Sequence, residues 1–155
     1  MAYLHYVKGA YPSAAEDLEQ SFELDRDYPE ARFYQGLLRF RQANYDGVVE
    51  CLSQSESPLD IGLLAAAYAR QGCESRAREC VERLSRLATL QYVSPLAEAL
   101  AAVGMEDFNL AFQRLEQAID DKTGFVNLLA VEPFFDPLRR DRRFARLLKT
   151  LNLSQ

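Results

Sequence analysis

The chain has 155 residues, with 18 Lys and Arg against 23 Asp and Glu, which gives a formal net charge of −5 at pH 7. Hydrophobic residues make up 48% and charged residues 26%, proportions that fit one folded domain and exclude a disordered chain. The acidic balance disfavours a protein body that gathers phosphate backbones.

Prolines divide the chain into segments whose apolar residues recur at helical spacing. Four of them suit the first turn of a helix, namely Pro12, Pro29, Pro58 and Pro95. Three acids stand where an N-cap or first-turn carboxylate favours the helix dipole, namely Asp46, Asp107 and Asp141. Runs of alternating β-branched residues are absent, so the sequence predicts an all-α fold.

The helical segments repeat. Ala65 and Ala99 occupy equivalent positions 34 residues apart, whereas Gly36 precedes Ala65 by only 29, because the connection at residues 53–58 is shorter. Small or short side chains, which let helices approach closely, recur in this frame: Gly36, Ala65 and Ala99 in first helices, and Ala14, Val48, Ala77 and Ala111 in second helices. A period of 34 predicts stacked helix hairpins.

Two stretches of the chain, "GLLRFRQANYDGVVECL" (36–52) and "IGLLAAAYARQGCESRARECVERL" (61–84), resemble the tetratricopeptide repeat family. Tyr45, Tyr68 and Gly72 match the family's pattern, while Val48 stands where alanine is usual and Glu106 replaces a turn glycine in the next unit. The resemblance implies a right-handed superhelix of antiparallel helix hairpins. Its units are a partial repeat at 1–28, repeats at 29–56, 57–91 and 92–121, and C-terminal capping helices at 122–155.

The closing stretch "VEPFFDPLRRDRRFARLL" (131–148) resembles the segment that follows the last repeat in bacterial signalling proteins. That resemblance implies the C-terminal part of a larger bacterial regulator with a fused upstream effector domain. An apolar stripe within it, Phe144, Leu147, Leu148 and Leu151, predicts a helix that covers the end of the array. Its basic residues leave contact with nucleic acid or an anionic membrane as the alternative.

The family resemblance also implies a protein- or peptide-binding groove lined by the first helix of each pair. The predicted groove residues are Phe33, Tyr34, Leu37, Phe40, Arg41, Leu63, Ala66, Arg70, Leu96 and Leu100, with Leu59, Val93 and Val103 beside them. Family members that clamp acidic chaperone termini use lysine, arginine and asparagine at such positions. The predicted groove of this chain is mainly apolar, so we expect an apolar peptide or helix as ligand instead. The remaining possibility is that the groove is filled by the chain itself, by its capping helices or by a neighbouring domain.

Nothing in the sequence predicts an enzyme, a cofactor or a metal site. The single histidine, His5, has no placeable nucleophile or acid partner, and the glycines are isolated. Three cysteines, Cys51, Cys73 and Cys80, form no CxxC pair, so we expect unpaired thiols. The chain also lacks an apolar run of the roughly 20 residues that a membrane span needs and an N-terminal signal pattern, which predicts a cytoplasmic location.

Overall fold

The computed structural model describes residues 1–25 and 28–153. Within these ranges the chain forms nine α-helices and two 3₁₀ segments and has no strand, so the all-α prediction is confirmed. The helices are α1 Ala2–Val7, α2 Tyr11–Leu24, α3 Pro29–Arg41, α4 Tyr45–Leu52, α5 Pro58–Arg70, α6 Glu74–Ala88, α7 Pro95–Gly104, α8 Phe108–Asp120 and α9 Arg142–Thr150. The predicted units 1–28 and 122–155 each extend over positions outside the described residues, at 26–27 and 154–155.

The helices begin where the sequence pattern places them. The four predicted prolines all lie in the first turn of a helix, where the missing N–H has no helical partner to lose. Asp107 and Asp141 are N-caps whose side chains accept hydrogen bonds from the backbone N–H of Leu110 and Arg143. Asp46 lies in the first turn of α4.

The same turn connects each odd-numbered helix to the even-numbered helix that follows it. In each of the four turns one residue adopts a left-handed backbone, with φ of 75° at Gly9, 56° at Ala43, 76° at Gly72 and 61° at Glu106. The backbone N–H of the residue that follows it donates a hydrogen bond of 2.9 Å to the carbonyl oxygen five residues earlier in the helix. This bond gives a donor to a carbonyl at the end of the helix that has no partner within the helix. The four turns are 34, 29 and 34 residues apart, the same spacing as the repeat in the sequence.

The odd-numbered helices form one row, in which α1 contacts α3, α3 contacts α5 and α5 contacts α7. The helices of this row can approach closely because glycines, which have no side chain, lie where they meet. A Cβ on Gly62 of α5 would lie 2.1 Å from the carbonyl oxygen of Ala97 in α7, and one on Gly104 would lie 2.2 Å from Cα of Ala66. The small residues singled out by the repeat are all buried: Gly36, Ala65, Ala99, Ala14, Val48, Ala77 and Ala111.

After α8 the chain leaves the helical repeat. Residues 123–141, named here the strap, contain the 3₁₀ segments η1 (Gly124–Leu128) and η2 (Pro133–Leu138). The first segment contacts α8 and the second contacts α3, so the strap carries the C-terminal part of the chain back to the N-terminal helices. Helix α9 then packs on α8. None of the helices in the described part combines the length and hydrophobicity that crossing a membrane requires.

Candidate functional site

The strap lies on a surface made by α1 and α3, named here the α1–α3 face. Its residues are Tyr3, Tyr6, Phe33, Tyr34, Phe40 and Arg41. Phe125 of the strap stands edge-on to Phe33 with ring centroids 5.8 Å apart, and Phe134 lies 4.8 Å from Phe40. Both separations are in the range that aromatic pairs favour. Two phenylalanines, nine positions apart, therefore anchor the strap to the face.

Between the two anchors, the carboxylate of Glu132 is fully buried. The hydroxyl of Tyr6 donates to Oε1 at 2.7 Å, and the hydroxyl of Tyr3 donates to Oε2 at 3.0 Å. The backbone N–H of Phe134 donates to Oε1 at 3.0 Å. Each carboxylate oxygen thus has a donor from α1. Glu132 is 126 positions from Tyr6 and 129 positions from Tyr3 in the chain.

Burial dominates the electrostatics of this contact. Desolvation raises the pKa of Glu132 above its ordinary value of 4.5, although the hydrogen bonds from Phe134, Tyr6 and Tyr3 oppose the rise. Burial, and next the negative charge of Glu132, raise the pKa of both Tyr3 and Tyr6. The tyrosines therefore remain neutral donors at physiological pH, and a raised pKa makes Glu132 the group of these three that takes up a proton as pH falls.

Two arginines fix the strap beyond Glu132. Arg139 donates to the carbonyl oxygens of Ala130 at 2.8 Å and Glu132 at 3.2 Å, and its Nε bonds Asp136 at 2.8 Å. Arg41, at the end of α3, pairs with the other oxygen of Asp136 at 3.1 Å and is itself held by the Tyr11 hydroxyl at 3.2 Å. Arg139 thus shapes the strap internally, while Arg41 ties it to the face.

The predicted groove residues fall into two groups. Six lie in the core and are at most 6% exposed: Phe33, Leu37, Leu63, Ala66, Leu96 and Leu100. The packing of helices uses at least two of them, because Leu63 lies against Gly36 and Ala66 against Gly104. Their side chains are consequently closed to an outside peptide in this structure, and any role in binding one stays a prediction.

The other four predicted residues remain partly accessible. Tyr34 and Phe40 are half-buried beside the strap, and Arg41 is exposed. Arg70 lies farther along the row and pairs with Glu106 at 2.6 Å. Residues that the sequence interpretation missed complete the site: Tyr3, Tyr6, Phe125, Glu132, Phe134 and Asp136. The density of aromatic residues in "AYLHYV" and "EPFFDP" is the sequence signal that could have indicated all of them except Phe125.

Helix α9 places its apolar stripe against the protein. Phe144 and Leu147 are buried, and Leu148 and Leu151 are half-buried. The basic residues divide by role. Arg143 bonds Asn109 at 2.8 Å, and its guanidinium lies 4.2 Å from the centre of the Phe112 ring, whereas four others are exposed, namely Arg140, Arg142, Arg146 and Lys149.

Other chemical groups offer no comparable site. His5 bonds Asp17 at 2.8 Å on the side of α1 and α2. The three cysteines are free, and burial raises the pKa of the Cys51 thiol to about 11, which keeps it protonated and unreactive. Within residues 1–25 and 28–153, no three His, Cys, Asp or Glu side chains are grouped so that they could hold a metal ion.

Comparison of the chain with models of known protein families, with curated proteins and with solved structures finds no match. The fold class that the structure defines is an all-helical protein in which a C-terminal strap covers the face of two N-terminal helices. Likeness to tetratricopeptide repeats stays a prediction from the sequence.

Proposed function

We propose that this protein is a protein- or peptide-binding module of the tetratricopeptide type, a scaffold or sensor region whose binding surface is the α1–α3 face. The observation that carries this proposal is the strap itself. An irregular segment is held there by two aromatic anchors, a buried carboxylate and an exposed ion pair, the kinds of contact by which a protein surface binds a peptide. In this proposal the strap is an intramolecular ligand of the binding surface.

The repeated turns support the tetratricopeptide assignment. Left-handed residues at spacings of 34, 29 and 34 match a 34-residue unit with one shortened connection. The shortened connection is fixed by its own contacts, since Ser55 donates to the buried carboxylate of Asp60 at 2.5 Å and Arg83 donates to the Ser55 carbonyl oxygen at 2.8 Å. We further propose a cytoplasmic regulatory protein of bacterial type as the setting, with which the free thiols agree.

The test releases the strap and asks whether the uncovered face selects peptides. The double variant Glu132→Ala/Phe134→Ala removes the buried acid and one aromatic anchor, and Asn127→Ala, an exposed change within the strap, is the matched control. Random peptides displayed on phage are panned against the folded double variant and against the control. We expect peptides that bind the double variant at least about tenfold more tightly than the control, because the covered fraction lowers apparent affinity.

A second substitution locates the binding. Arg41 is exposed at the edge of the face, so Arg41→Ala in the released protein should weaken the selected peptides without affecting folding. A released variant that keeps its helical circular dichroism and cooperative melting but enriches no peptide would refute the proposed function. Peptides that bind the control equally well and ignore Arg41→Ala would refute it too.

The second candidate function is contact with nucleic acid or an anionic membrane through α9. The observation in its favour is the exposure of Arg140, Arg142, Arg146 and Lys149 near one end of the protein. Arg139 and Arg143 are engaged within the chain, and the rest of the protein is acidic, so the attraction would rest on four side chains. Binding through the α1–α3 face is the better supported function.

A further inference from the structure

We propose that the partner of the α1–α3 face is a segment of another protein with the chemistry of strap residues 132–136, an acid followed by proline, two aromatic residues and a second acid. The strap would then be a built-in competitor for that partner. This inference rests on the proposed function and names the ligand class that the face recognises.

The first element of recognition is the socket for the Glu132 carboxylate. Two neutral hydroxyls, from Tyr3 and Tyr6, each point at one oxygen in a site that is closed to solvent. An apolar side chain there would leave both hydroxyls without an acceptor, and a basic one would bury a positive charge with no carboxylate to pair with it. The socket therefore selects a carboxylate over apolar and basic side chains.

The second element is the cation at the edge of the face. Arg41 binds Asp136, four residues after Glu132, and both side chains are about two-fifths exposed, at 42% and 39%. A pair so accessible to solvent contributes little affinity but favours acidic over basic segments and fixes the direction of the bound chain. The face thus recognises two acids four positions apart, the first through a buried contact with the tyrosines and the second through an exposed contact with Arg41.

The third element is aromatic and is preordered by proline. Phe134 packs on Phe40 and on Phe135, at 4.8 and 5.6 Å between ring centroids. Pro133 and Pro137 flank this pair and restrict the unbound segment, which lowers the conformational entropy lost on binding. A flexible acidic peptide without proline or aromatic residues lacks both advantages.

The strap does not fill the face, which leaves room for a partner to compete. Beside it lies a cavity of about 190 Å³ whose lining combines the strap and the inner helices: Tyr6, Phe40, Arg41, Ala43, Tyr45, Arg70, Pro133, Phe134 and Pro137. Two of these residues are arginines and three are aromatic residues of α1, α3 and α4. A partner with one more aromatic or acidic side chain would gain contacts that the strap does not make.

The experiment measures binding of a fluorescent synthetic peptide of residues 125–139 to the released double variant Glu132→Ala/Phe134→Ala by anisotropy. We expect at least about tenfold tighter binding than to the unaltered protein, whose own strap competes. In the peptide, Glu132→Ala should weaken binding about tenfold or more, since the buried hydroxyl of Tyr6 and the half-buried hydroxyl of Tyr3 lose their acceptor. Asp136→Ala should weaken it about two- to fivefold, and Asn127→Ala should leave it unchanged.

Three results would overturn the inference. One is a folded double variant to which the peptide does not bind. Another is equal binding of the unsubstituted and Glu132→Ala peptides. The third is a double variant that forms dimers by exchanging straps and binds no free peptide, which would make a second copy of the chain the occupant. If the double variant loses cooperative melting, the single variant Glu132→Ala replaces it and the same ranking of peptides decides.

The outcome is separable from that of the phage selection. If selection yields peptides that are sensitive to Arg41→Ala but carry no acidic residue, the binding function stands and the ligand class proposed here is wrong. If selection yields nothing and the strap peptide does not bind, both proposals fail.

Discussion

Tyr6→Phe tests the central contact with the smallest change. The substitution removes only the hydroxyl that donates to Glu132 at 2.7 Å and leaves the ring, which is 3% exposed, in place. No cavity results, so any loss of stability comes from the hydrogen bond. Glu132 would keep the donors Tyr3 and the Phe134 N–H, and its carboxylate would be less well satisfied in a buried site.

The expected loss follows from the burial of the acceptor. A buried group left without one of its hydrogen-bond partners costs about 1–3 kcal/mol, so Tyr6→Phe should lower the free energy of unfolding by about 2 kcal/mol. Tyr3→Phe should cost about 1 kcal/mol, because Tyr3 is half-buried and its hydroxyl lies farther away, at 3.0 Å. Domains of this size are usually stable by about 5–15 kcal/mol, so both changes are measurable.

Urea unfolding at pH 7, followed by circular dichroism, gives these free energies. The matched control is Tyr92→Phe, because Tyr92 also donates its hydroxyl to a carboxylate, that of Asp121 at 3.0 Å, but is 67% exposed. We expect the control to change stability by less than about 0.5 kcal/mol. Equal losses for Tyr6→Phe and Tyr92→Phe would refute the claim that the buried carboxylate socket holds the strap.

Three further predictions concern pH, the turns and α9. Burial raises the pKa of Glu132, so the stability that its protonated form contributes is complete below the usual pKa of 4.5 and is lost as pH rises through the folded-state pKa. Glu132→Gln does not titrate and should therefore gain stability relative to the unaltered protein with rising pH. A difference in the free energy of unfolding in urea that does not change with pH would contradict this. Ala43→Gly should stabilise by about 0.5–1 kcal/mol because φ is positive there, and Gly72→Ala should destabilise in the same thermal melts; equal melting temperatures would count against strain in the turns. We expect no affinity for DNA or anionic vesicles at low salt, and a salt-sensitive affinity that Arg142→Gln/Arg146→Gln abolishes would favour the second candidate function.

The helices and their spacing were predictable because they depend on local signals. Proline favours the first turn of a helix through its own backbone geometry, and a period of 34 can be counted in the sequence. The left-handed turns of the structure recur at that spacing. Even the shortened step from Gly36 to Ala65 reappears as the 29 residues between the turns at Ala43 and Gly72. What local signals left open was which side chains remain accessible.

The strap was not predictable for a physical reason. Its 3₁₀ segments are too short for helical periodicity, and its prolines indicate a loop rather than a path across other helices. Glu132 illustrates the difficulty, because a glutamate in a loop is expected in solvent, and only the arrival of Tyr3 and Tyr6 from the opposite end of the chain makes its burial possible. Contacts across more than 120 residues leave no trace in local pattern. The burial of predicted groove positions such as Leu63 and Ala66 likewise depends on how closely α5 approaches α3 and α7, which local pattern does not show.

A buried carboxylate is a poor way to fasten a segment permanently. Its desolvation opposes much of what its hydrogen bonds contribute, and an apolar side chain facing apolar residues in place of Tyr3 and Tyr6 would hold the segment at least as firmly. What the Glu132 contact adds is discrimination, because the socket formed by Tyr3 and Tyr6 accepts few side chains other than an acid. Discrimination is useful to a surface that exchanges one segment for another and unnecessary to one that is covered for good. The choice of an acid at the centre of the strap is therefore an argument, independent of the repeat pattern, that the α1–α3 face is a binding surface.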